Sequence, residues 1–383
     1  MMRPNQIKKA AILLNAILLV SSFSISSQTI VNRYANCSAG DMLLMYYGSS
    51  ARCSWTESEV APLVAHTFMD GHTDWFFPSF LYLEFKHEKN ALGNDMGKNT
   101  STKEDWEWLL SRFESNKEGL KALDNCIENM KSKLGPPPFK HKVVLVVPSP
   151  INNQQDWGKL NGKRMNFNKN SDKIKVVQWY VDELIRRFNK QQFQNIILDG
   201  FYWVEETSRT CAEILPSVSS HIHQKGYKFY WIPFYTARGR FDWKKFGFDY
   251  AYLQTGYFWN KELGIDRINE ACESAKKYGM GLEFEISEKY FNNRSEYAHR
   301  MSNLIDAFEQ NGVFSDCALT YYCGNKVLLD ICKSSRSDDR KLLDRLARLI
   351  VERNKKLSHS VTVKPGKSTT RSLDWRDPEY WHF

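Results

Sequence analysis

Residues 195–235 read NIILDGFYWVEETSRTCAEILPSVSSHIHQKGYKFYWIPFY. An apolar, aromatic run from Asn195 to Trp203 gives way to a polar turn and then to a helical segment, Thr210 to Gln224. Gly226 closes that segment, and a second aromatic run follows from Lys228 to Tyr235. Strand, helix and strand in such short order mark a parallel βαβ unit, whose crossover is right-handed.

The alternation extends both ways. Upstream, Asp41 to Tyr47, Phe76 to Phe85 and Val143 to Val147 read as strands; downstream, Tyr250 to Tyr257, Gly281 to Ile286 and Ala318 to Tyr322 do. Helices are expected at Lys103 to Leu134, Lys173 to Asn189, Ile265 to Tyr278, Arg294 to Gln310 and Asp338 to Lys356. In the second of these, Val176, Val177, Tyr180, Leu184 and Phe188 form an apolar stripe. Eight strands, most followed by a helix, predict an α/β fold, a single (β/α)8 barrel of the TIM type spanning 37–357. An open doubly wound sheet is the competing architecture. It is disfavoured by the strand count and by the lack of a Gly-x-Gly-x-x-Gly turn after the first strand.

The two ends read differently from this body. Arg3, Lys8 and Lys9 precede the apolar run Ala10 to Val20 and the small polar stretch Ser21 to Ser27. That order is the layout of a secretory signal peptide over 1–27, too short for a comfortable membrane span. An exported protein is expected, periplasmic or extracellular, with no membrane partner once the signal is removed. Loss of the signal takes three positive charges from the formal +9 and leaves +6. The surplus is spread along the chain with no basic block, so nucleic acid is not an expected partner. From Ser358 to Phe383 helical periodicity is absent, and the segment reads as a tail.

Eight cysteines (Cys37, Cys53, Cys126, Cys211, Cys272, Cys317, Cys323 and Cys332) show no CxxC and no zinc spacing with histidines, so no metal or other cofactor is expected. His221 and His223 lie two apart on a helix and point to different faces. No GxSxG elbow, P-loop or HExxH occurs.

In a (β/α)8 barrel the chemistry sits at the C-terminal ends of the strands. Strand four offers Asp199, Trp203, Glu205 and Glu206, and strand seven offers Glu283 and Glu285. Alternation puts Glu283 and Glu285 on one face. It also puts Asp199, Phe201, Trp203 and Glu205 on one face, provided Gly200 introduces no bulge. Carboxylates after strands four and seven can face each other across a barrel mouth, the arrangement that glycoside hydrolysis uses for its acid and its nucleophile or base. On the analogy of barrel glycosidases that resemble this arrangement, Glu205 or Glu206 is the expected acid, Glu285 the nucleophile or base and Asp199 a tuning group, with Glu205, Glu285 and Asp199 the expected catalytic residues. Glu206 reads as equally suited to a solvated loop. Expected substrate contacts are Trp203, Tyr235, Arg238, Gln254, Tyr257, Trp259, Glu283 and Tyr322, because aromatic rings stack on sugar faces. An oligo- or polysaccharide is the expected partner. A lyase acting on an anionic glycan through Tyr235 or Tyr257 with Arg238, and a barrel that binds glycans without turnover, are the alternatives.

Several segments carry a family resemblance: Met42-Leu-Leu-Met-Tyr-Tyr-Gly48, Trp55-Thr with Val60-Ala-Pro-Leu-Val, Asp74-Trp-Phe-Phe-Pro-Ser-Phe-Leu-Tyr-Leu83, Leu198-Asp-Gly-Phe-Tyr-Trp203, Tyr230-Trp-Ile-Pro-Phe-Tyr235 and Tyr252-Leu-Gln-Thr-Gly-Tyr257. On these the chain resembles the bacterial domain of unknown function numbered 4855. The resemblance implies a barrel similar to that of glycosidases and brings no settled activity with it.

Overall fold

The computed structural model describes residues 37–48, 52, 54–93 and 99–360, with side chains to 356. The expected signal segment 1–27 lies outside the described residues, as does the tail beyond 360.

Eight parallel strands close into a barrel in sequential order, each bonded to the next and the last to the first. They are β1 (Met42–Tyr46), β2 (Ser79–Leu83), β3 (His141–Val147), β4 (Ile196–Trp203), β5 (Lys228–Trp231), β6 (Tyr250–Gln254), β7 (Gly281–Ile286) and β8 (Leu319–Cys323). Val143 to Val147 are all fully buried, as a strand covered by helices outside and side chains within must be. The longer helices are α1 (Glu57–Val64), α2 (Lys103–Arg112), α3 (Leu120–Leu134), α4 (Asn170–Gln191), α5 (Leu215–Gln224), α6 (Asp266–Tyr278), α7 (Arg294–Gln310) and α8 (Ser337–Ser360), with short helices at Lys289–Asn292, Val313–Asp316 and Val327–Cys332.

Two departures from the sequence reading have local causes. The segment Lys103–Leu134 is two helices, because the chain turns at Gly119 with φ +61°. A Cβ there would lie 2.5 Å from the Tyr47 ring, so the turn is pressed against the end of β1. Helix α1 was not expected; Pro62 stands inside it, where proline normally argues against a helix. Its start is secured by Thr56, whose amide donates to Glu59 Oε2 at 2.9 Å.

The lower end of the barrel, where the strands begin, is held by polar contacts. Lys142 pairs with Asp199 at 3.1 Å, and the Ser38 hydroxyl donates to the same carboxylate at 2.6 Å. The Tyr230 hydroxyl also donates to Asp199. Helix α8 straps this region: Arg353 pairs with Asp41 at 3.2 Å and donates to the Cys317 carbonyl at 2.7 Å, while Asn354 donates to the Phe76 carbonyl at 2.8 Å.

Candidate active site

The pairing of β4 with β3 decides which acids reach the barrel mouth. Leu198 pairs with Val143 and Gly200 with Val144, so Asp199 has no partner across the ladder and the strand carries a one-residue bulge. A shift of one residue sends every later side chain to the other face. Tyr202 and Glu206 consequently line the interior. Phe201 packs on Tyr227 with ring centroids 5.5 Å apart, and Trp203 on Phe229 at 6.3 Å, both in the layer between barrel and helices.

At the C-terminal end of the strands, Glu206 meets Glu283 and Glu285 of β7 around a cavity of about 210 Å³. Glu283 and Glu285 share a face as their spacing requires. Tyr46, Tyr202, Tyr322 and Trp259 supply rings, Gln254 an amide, and Leu44, Leu83, Phe85 and Ile232 apolar lining. No Lys, Arg or His is among the described residues lining it.

The three carboxyls differ in their surroundings. Glu285 is buried and accepts from the Thr255 hydroxyl at 2.8 Å, the Gly256 amide at 2.7 Å and the Trp259 indole at 2.8 Å. Burial raises its pKa, and these donors hold the rise in check. Burial raises Glu206 to about 7, with the Glu285 charge adding to the rise and the Gln254 amide opposing it. Glu283 is raised well above the usual carboxylate range by burial, then by its two acidic neighbours. Its Oε1 has no hydrogen-bond partner among the described residues.

The other expected residues lie elsewhere. Glu205 is buried behind the strand end, where Thr210 Oγ1 donates to it at 2.9 Å, and it does not line the cavity. The bulge accounts for this, because it exchanges the places of Glu205 and Glu206. Asp199 serves the lower end of the barrel. Trp203 is part of the core. Tyr235 donates to Glu270 at 3.0 Å under the Arg267 guanidinium, on the α6 side. Tyr257 lies beneath Arg300 and accepts from Asn303 at 3.1 Å, on the α7 side. Arg238 is exposed in a separate pocket. Gln254, Trp259, Glu283, Glu285 and Tyr322 come together as the strand ends suggested. Tyr46 and Tyr202 were missed as site residues, although both fall within predicted strands. His221 and His223 bond to different carboxylates, Asp182 and Asp249, on the surface. Among the described residues no group of three or more His, Cys, Asp or Glu is arranged to hold a metal ion.

Fold and mouth together define a (β/α)8 barrel with a carboxylate-lined cavity at the C-terminal end of its strands. A family model described as "Domain of unknown function (DUF4855)" matches residues 41–348, and the chain belongs to that family. No curated protein matches the sequence. Among solved structures, a mutant tryptophan synthase alpha-subunit from Pyrococcus furiosus is similar at 8% identity and TM-score 0.37, over 81% of this chain and 96% of that one. An endo-1,4-beta-xylanase from Caldicellulosiruptor owensensis is similar at 11% identity and TM-score 0.37, over 77% and 87%. Ribulose-1,5-bisphosphate carboxylase/oxygenase from Pyrococcus horikoshii OT3 is similar at 9% identity and TM-score 0.40, over 83% and 64%. Likenesses this distant carry no information about what this chain binds.

Proposed function

We propose that the protein hydrolyses a glycosidic bond with Glu206 as the acid and Glu285 as the nucleophile or general base. The observation that carries the reading is the difference between these two carboxyls in one cavity. Glu206 is held near pH 7, where a group can give and regain a proton readily. Glu285 faces three donors that favour its ionised form. Acids whose environments push their pKa values apart can divide the two roles of glycoside cleavage between them.

The cavity is smaller than the roughly 300–1,000 Å³ of pockets for drug-sized ligands, a size suited to one sugar ring. Tyr46, Tyr202, Tyr322 and Trp259 offer rings to stack on it. A lyase acting on uronates has less support, since none of the described residues lining the cavity is a cation and Tyr235 and Arg238 lie away from it.

The test is release of free sugar from a panel of neutral aryl glycosides and oligosaccharides. Glu206→Gln and Glu285→Gln are each expected to lower kcat/KM by about 100-fold or more, within the range that acid–base groups contribute. Full turnover in either variant removes that residue from the mechanism. A wild-type protein that retains sugar on an affinity column and releases no product is a binder instead.

A further inference from the structure

A second cavity, of about 480 Å³, opens at the same end of the barrel among the loops that follow β3, β4 and β5. Lys173, Arg209, Arg238 and Lys245 line it, against the carboxylates of Glu213 and Asp242. Arg209, Arg238 and Lys245 form no ion pair among the described residues, and Glu213 is engaged by the Asn170 amide at 2.5 Å. Lys173 is only 7% exposed, and its ammonium donates to the side-chain carbonyl of Asn152. Burial weighs against the charge of this ammonium, and the nearby carboxylates of Glu213 and Glu205 favour it.

The backbone carrying the two arginines is built for close approach. The Ser208 amide and hydroxyl both donate to the Arg238 carbonyl, at 3.2 and 2.8 Å. Gly239, at φ +76°, lies where a Cβ would collide with Ser208 Oγ. The loops after β4 and β5 are thereby clasped at the residues next to Arg209 and at Arg238 itself. Four cationic side chains against two carboxylates leave a surplus of positive charge in one concavity, which a bound anion offsets. Guanidinium forks match the paired oxygens of sulfate, phosphate and carboxylate.

We propose that this cavity is an oxyanion site, with Arg209 and Arg238 as forked donors and Lys173 as the buried charge. The assignment is independent of the reaction at Glu206 and Glu285. The anion is either free in solution or a substituent carried on a sugar chain.

Isothermal titration of the whole protein with sulfate, phosphate and acetate, at fixed ionic strength and with chloride as control, tests the site. Saturable binding of at least one of them is expected, weakened tenfold or more by the double change Arg209→Gln and Arg238→Gln. Glu213→Gln removes an opposing charge and is expected to tighten binding, a gain that misfolding cannot produce. A sulfated disaccharide that binds more tightly than inorganic sulfate identifies a glycan substituent; equal or weaker binding identifies the free ion. Heats no different from chloride, or binding unchanged in the double variant, overturn the proposal.

Discussion

Glu206 must hold a proton to act as the acid, so the rate follows its protonated fraction. With its pKa near 7, kcat/KM is expected to fall about tenfold per pH unit above that value, and to fall again on the acid side once Glu285, itself raised by burial, takes up a proton. A pH profile that stays flat well into the alkaline range would show that another group gives the proton. Glu283 and Glu285 were legible in the sequence, because strand alternation alone places them together. Glu206 was not: whether Glu205 or Glu206 turns inward depends on one unpaired residue, Asp199, and no count of alternating positions reveals it. The glycine at 200 was the sole hint, as glycines within strands often mark such irregularities.

At the level of the element, the bulge in β4 rests on Gly200. A Cβ there would collide with the Lys228 carbonyl oxygen, on the neighbouring strand β5. Gly200→Ala is expected to cost about 1–3 kcal/mol, the usual range for overpacking, read as a lower urea midpoint. Because β4 also carries Tyr202 and Glu206, kcat should drop in the folded variant. An unchanged midpoint would mean that the strand accommodates the methyl. Strand positions were readable from their apolar runs, whereas helix breaks were less so. The turn at Gly119 is fixed by a distant contact with Tyr47, and α1 by a capping box that outweighs Pro62.

For the whole molecule, eight apolar runs separated by helical stretches sufficed for the closed barrel. What they could not convey was the division of labour between its ends. Asp199 and Lys142 form a compensated ion pair near the lower end, whereas the mouth gathers three carboxyls around a cavity that no cation lines among the described residues. That contrast has a thermodynamic side. A carboxyl whose folded pKa is raised binds its proton more tightly in the native state than in the unfolded chain. Below the unfolded value of about 4.3 both states are protonated and nothing is lost. As pH rises above it, the unfolded chain ionises first and native stability drains away. Glu283 is raised by burial and by both acidic neighbours, so Glu283→Gln is expected to melt at a higher temperature than the wild type at mildly alkaline pH and at nearly the same temperature in acid near the unfolded value. A variant that gains no more over wild type in alkali than in acid would contradict this linkage. The cluster that equips the mouth for chemistry is thus a standing strain on the native state, one that the barrel tolerates at neutral pH through the stability of the rest of its fold.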